Sequence, residues 1–157
     1  MTDIDETRPP ARLRAPARLR ALVSWQINKL DIVGARLTGS RMPAAGRYDF
    51  AVLAALEEYG ALSQADLGRR LGLDRNSING IATRLDDRGR IVRATDPSDR
   101  RRNTVAITPA GQQYLDELQT ATDATQAELT ANLSASEREQ LRTLLAKVLE
   151  AHPTPPG

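Results

Sequence analysis

The sequence contains no cysteine, so neither a disulfide nor a thiol redox switch is available to it. Its one histidine, His152, stands in a proline-rich end, which leaves no His- or Cys-based metal site to assemble and no cofactor to expect. Aromatic residues make up 3% of the chain, so packing must rest on Leu, Ala, Ile and Val. No apolar run approaches the ~20 residues that span a bilayer, and the opening MTDIDETRPPARLRA lacks the apolar centre of a signal peptide. A cytoplasmic location is therefore expected. A Gly-rich loop leading into lysine, a nucleophile beside a base, and paired carboxylates on one helical face are all missing, so an enzyme has no support.

Lysine is scarce too. Lys29 and Lys147 are the only lysines among 22 basic residues, and the rest are arginine, whose planar fork can make bidentate hydrogen bonds. A GC-rich genome would produce the same bias. The formal net charge of +2 is unevenly placed: residues 63 to 103 carry ten arginines against six aspartates, whereas 104 to 157 carry seven acids against three bases. At 157 residues the chain is one domain's worth, thin for a lone monomer.

Residues 1–15 read as a frayed tail. From about Pro16, Leu19, Leu22, Val23, Ile27, Leu30, Val33 and Leu37 recur at spacings of three and four, which predicts one helix ending near Thr38 and Gly39. Pro43 and Gly46 punctuate a turn, and a second helix with Phe50, Leu53, Ala54 and Leu56 apolar runs to Gly60. Ser63 is placed to cap a third helix, with Asp66 completing an approximate capping box and Ala65, Leu67 and Leu71 facing inward. Gly72 ends it. Asp74 then caps a fourth helix, Arg75 to about Arg88, that buries Ile78, Ile81, Ala82 and Leu85. IVRAT and NTVAIT read as antiparallel strands joined by DPSDRRR. Thr108 caps and Pro109 starts a fifth helix with Leu115, Leu118, Ala121, Thr122, Thr125 and Leu129. Ser134 and Glu137 open a last one with Leu141, Leu144, Leu145 and Val148. Residues 152–157 read as a disordered tail.

Two short helices joined by a Gly-containing turn, followed by a charged hairpin, are the layout of a winged DNA-reading module. Side chains near the N-terminal end of a helix lying in the major groove read base edges, and Arg75, Asn76, Ser77 and Asn79 stand there, with Arg84 one to two turns further on. Arginine bridges the two acceptors of guanine, and asparagine the acceptor and donor of adenine. The helix N-terminus, opened by Ser63 in one case and Asp74 in the other, is also where phosphate binds backbone amides. Three arginines on a protruding loop, Arg100, Arg101 and Arg102, repel one another unless an anion faces them, and a narrow minor groove supplies that potential. Asp96 and Asp99 are near enough to brace one of them; Asp99 is expected to hold Arg101.

The stretch DPSDRRRNTVAITPAG resembles the wing signature of the multiple-antibiotic-resistance regulator (MarR) family, D-x-R and, after five further residues, L-T-x-x-G. Asp99, Arg101, Thr108 and Gly111 fall on that pattern, and Ile107 replaces the usual leucine. LDRNSINGIATRLDDRG is similar to the family's recognition helix, although Gly80 stands where arginine is common. The likeness covers roughly residues 16–151. It implies a mainly α fold with a small β-wing: a winged helix-turn-helix lobe (44–108) between N- and C-terminal dimerisation helices (16–43 and 109–151). It implies further a homodimer on double-stranded DNA, in function a regulator and most simply a repressor. The long apolar stripes agree with pairing, and two-fold symmetry predicts a pseudo-palindromic operator with half-sites ~34 to 36 Å apart.

Members of the family commonly release DNA when a small aromatic or phenolic anion binds between the dimer frame and the reading lobe. Trp25 and Tyr48 are the aromatic candidates for that crevice in this chain, though packing is the ordinary role of such residues. The competing reading is a winged-helix protein-interaction module that does not bind DNA.

Overall fold

The computed structural model describes residues 15–95 and 103–152. Its elements in chain order are α1 (Ala17–Arg20), α2 (Val23–Gly39), α3 (Gly46–Tyr59), β1 (Leu62–Ser63), α4 (Gln64–Leu71), α5 (Arg75–Asp87), β2 (Ile91–Thr95), β3 (Asn103–Ile107), α6 (Pro109–Leu129) and α7 (Ala135–Glu150). The three strands form one antiparallel sheet in the order β1-β3-β2. Among the described residues no helix is long and apolar enough to cross a membrane. The fold is the mainly helical winged arrangement that the residue pattern predicts.

The expected first helix is broken. Leu22 is extended (φ −87°, ψ 121°), so α1 and α2 are separate, and the Gln26 side chain donates to the Arg20 carbonyl exposed at the break. Neither proline nor glycine marks this point, because the apolar spacing continues through it. The short strand β1 also has no signal in the sequence pattern. It exists only by pairing Leu62 with Val105 and Ser63 with Thr104.

The core gathers one face from each element of the central lobe: Val52, Leu53 and Leu56 of α3, Leu67 of α4, Ile78, Ala82 and Leu85 of α5, Ile91 and Val105 of the sheet, and Leu115 and Leu118 of α6. Leu53, Leu67, Ile78 and Leu85 are wholly buried, each contributing about 1.5 to 3 kcal/mol relative to exposure. Ala65, expected to face inward, is exposed; α4 is short and turns Leu67 and Gly68 to the core instead.

The helices outside this lobe behave differently. Neither α2 nor α7 buries a single residue. Val23, Ile27, Leu30 and Ile32 on α2, and Leu144, Val148 and Leu149 on α7, are exposed large apolar side chains. A groove of about 1080 Å³ between α2, the end of α6 and α7 is lined by Ile27, Leu30, Leu129, Leu133, Leu141 and Leu145. Arg41 pairs with Glu128 and fastens the end of α2 to α6.

Candidate nucleic-acid interface

Local chemistry fixes the two helices of the reading module. Ser63 caps α4: its hydroxyl accepts from the Asp66 amide (3.1 Å) and donates to the Asp66 carboxylate (2.6 Å). Gly72 turns the chain in the left-handed region (φ 64°), where a Cβ is strained. Asp74 then caps α5, accepting from the Ser77 amide at 2.9 Å and the Ser77 hydroxyl at 2.6 Å.

Those two bonds, the hydroxyl first, hold the Asp74 carboxyl below its ordinary 3.8. A depressed folded value means the cap's stabilisation is complete above 3.8 and is lost as pH falls through the lower, folded value. The difference in melting temperature between the natural chain and Asp74→Ala, followed by circular dichroism, should therefore be constant near neutrality and shrink below pH 3.8.

The cap alters what the helix start can do. Asp74 and Ser77 are tied to each other, so the Ser77 amide is already taken and a carboxylate occupies the place expected for a phosphate. Arg75, Asn76 and Asn79 are exposed and make no side-chain hydrogen bond among the described residues. Thr83 is exposed on the same face.

Arg84 departs from the expected outward set. Its guanidinium pairs with Asp49 of α3, which is only 2% exposed, and Tyr114 of α6 donates its hydroxyl to the same carboxylate at 3.4 Å. A buried carboxylate must find a cation, and Arg84 is the one α5 delivers. Arg84 is therefore an anchor of the recognition helix and not a residue presented to a groove. Beside this group the Arg90 guanidinium lies 3.3 Å from the centre of the Tyr114 ring.

The sheet is tied to α5 by a residue that sequence reasoning passed over. Arg93 of β2 donates to Asp86 (2.8 Å) and to Thr83 (3.3 Å), both on α5. The wing tip, with Asp96, Asp99, Arg100, Arg101 and Arg102, lies outside the described residues. At the wing's base Thr108 caps α6 through the Gly111 amide (3.0 Å) and donates to the Gly89 carbonyl (2.7 Å).

Tyr48 and Trp25 lie on different helices, α3 and α2. Tyr48 lines a crevice of about 270 Å³ with Ala35, Thr38, Pro43 and Arg47, and the Arg47 guanidinium lies 4.9 Å from the Tyr48 ring centre. Trp25 is not among the residues lining that crevice; it lies near the start of α2, under Lys29 at 5.5 Å. Among the described residues no cluster of three or more His, Cys, Asp or Glu could hold a metal ion.

Comparison with known proteins decides the family. The model of the MarR family matches residues 43–102. A probable transcriptional regulator from Pseudomonas aeruginosa, of known crystal structure, is 34% identical and superposes with a TM-score of 0.73 over 83% of this chain and 99% of its own. The chain belongs to the MarR family. It is thus a transcriptional regulator, and its family is not one of enzymes. The PcaV regulator of Streptomyces coelicolor, solved in complex with its natural ligand, is similar at 26% identity (TM-score 0.73; 88% of this chain and 99% of that one). A putative transcriptional regulatory protein for the hcr operon of Thauera aromatica is 38% identical over 87 residues. That match takes in 55% of this MarR-family chain and spans about half, 52%, of the relative's length.

Proposed function

We propose that this MarR-family regulator is a homodimeric, sequence-specific DNA-binding repressor of a pseudo-palindromic operator, released by a small aromatic or phenolic anion. The observation that carries the DNA-binding reading is the outward face of α5, where Arg75, Asn76 and Asn79 stand uncommitted on a helix that is capped at one end by Asp74 and anchored at the other by Arg84. Such a helix presents base-reading side chains without having to reorganise. Residues 44–108 then form the reading lobe, and 16–43 and 109–151 the dimerisation helices. The apolar faces of α2 and α7, which stay exposed among the described residues, support the pairing. The crevice at Arg47 and Tyr48 supports the effector reading, since it offers a cation beside a ring and apolar walls. Trp25 falls outside it.

The experiment is fluorescence anisotropy with a duplex selected from random DNA. Replacing Arg101 and Arg102 with alanine is expected to weaken all duplexes alike and to lower the salt slope by about one for each phosphate no longer neutralised. Asn79→Ala is expected to relax the choice of base at one position per half-site, with a penalty of about 5- to 100-fold on the preferred sequence. A wing variant that binds as tightly as the natural chain at the same salt would contradict the assignment.

A further inference from the structure

Gly80 stands in the middle of α5, on the exposed side, with an ordinary helical backbone. A Cβ built on it meets nothing within 4 Å among the described residues. Glycine is a poor helix former because it gives up the most backbone freedom on ordering. Here no turn, no left-handed dihedral and no close neighbour among the described residues repays that loss. The space left by the missing side chain is open to a surface beyond these residues.

The residues around it indicate what that is. Asn76, Asn79 and Thr83 lie four before, one before and three after Gly80, and all are exposed. Between Arg75 and Thr83 the helix's own exposed side chains on this surface are short, because Arg84, the long one, is folded back onto Asp49, while Arg93 of β2 reaches α5 only at Thr83 and Asp86. Short side chains reach base edges only when the helix axis sits close to the floor of the groove. At that depth the backbone at Gly80 meets the bases directly.

We infer, on the DNA-binding reading above, that Gly80 is a specificity-determining position: its bare Cα packs against the C5-methyl of a thymine, while Asn76 and Asn79 face adenine on either side. The stretch of each half-site under the middle of α5 is then A·T, and no arginine reads guanine there. Close approach is the function of the glycine, and the methyl fills the space a Cβ would take.

The test uses the full-length protein and the duplex it selects from a random library. Gly80→Ala should raise the melting temperature of the free protein by about 1 to 3 °C, since alanine is the better helix former and has room. The same variant should bind the selected duplex about tenfold or more weakly, because the added methyl displaces the thymine contact. Replacing that thymine with deoxyuridine should weaken the natural protein by about fourfold per half-site and leave Gly80→Ala unaffected. Stability and affinity thus move in opposite directions, which a merely structural glycine cannot produce. Unchanged affinity of Gly80→Ala, a lowered melting temperature, or indifference to the thymine methyl overturns the inference while leaving DNA binding intact. Failure of the natural protein to select any duplex at low ionic strength overturns the DNA-binding reading itself, and this inference with it.

Discussion

Gly111→Ala is expected to destabilise the protein by at least about 3 kcal/mol, and to lower its melting temperature by about 6 to 12 °C. A Cβ at position 111 would overlap the Arg90 carbonyl oxygen far inside van der Waals contact and would approach Ile107 Cγ1 to 2.8 Å. The oxygen is backbone and cannot swing aside. It already accepts from the Thr108 amide at 3.1 Å, and Thr108 in turn holds both the Gly111 amide and the Gly89 carbonyl. Making room would therefore separate the wing's base from the start of α6 and break the cap. Thermal melting by circular dichroism measures the loss, and a melting temperature within about a degree of the natural chain's would show that the junction is not close-packed.

The second large effect is at Asp49. Asp49→Ala leaves the Arg84 guanidinium without its carboxylate, and the Arg84 Nε is already buried with no hydrogen-bonding partner among the described residues. Removing one member of a buried ion pair costs about 3 to 5 kcal/mol. The Arg84 side chain keeps 33% of its exposure, so the lower end of that range applies. Replacing both, Asp49→Leu with Arg84→Met, should recover most of the stability, since the uncompensated charge disappears. Urea unfolding of the two variants separates the outcomes. The single variant has a further consequence: α5 loses its fastening to α3 and α6, so DNA affinity should fall beyond what the unfolded fraction explains. Equal stability of Asp49→Ala and the natural chain would mean that the pair does not anchor the recognition helix.

Much of the fold was legible because its boundaries are set by local chemistry. Ser63, Asp74, Thr108 and Ser134 cap helices at the positions their side chains suggest, and Gly72 takes the left-handed turn. These features depend on residues three or four apart, which a sequence displays. The break at Leu22 has no local signal, because Leu19, Leu22 and Val23 keep the helical spacing through it. The strand β1 was hidden because two residues carry no period, and only register with β3 makes them a strand.

The site divides along the same line. The outward positions of Arg75, Asn76 and Asn79 follow from helical periodicity once Ile78, Ile81, Ala82 and Leu85 are assigned inward. The pairing of Arg84 is not legible in the sequence because its partner lies 35 residues away and is buried by packing, which no local pattern encodes. An aspartate between Tyr48 and Phe50, at the head of an apolar helix, was the one available hint. Likewise the T-x-x-G motif was readable as a motif, but the reason for its glycine is a contact with Arg90 across the wing's base. Tyr48 lies at a crevice because α2 and α3 meet there, whereas Trp25 sits a long way back along α2 from that meeting point.

Everything proposed for the α5 face depends on two such faces being held at fixed spacing. The direct test is sedimentation equilibrium of the protein alone and with its selected duplex, at moderate salt. Two chains in the free particle and two per duplex are the expected result. A single chain in solution, or one chain bound per duplex, would contradict it.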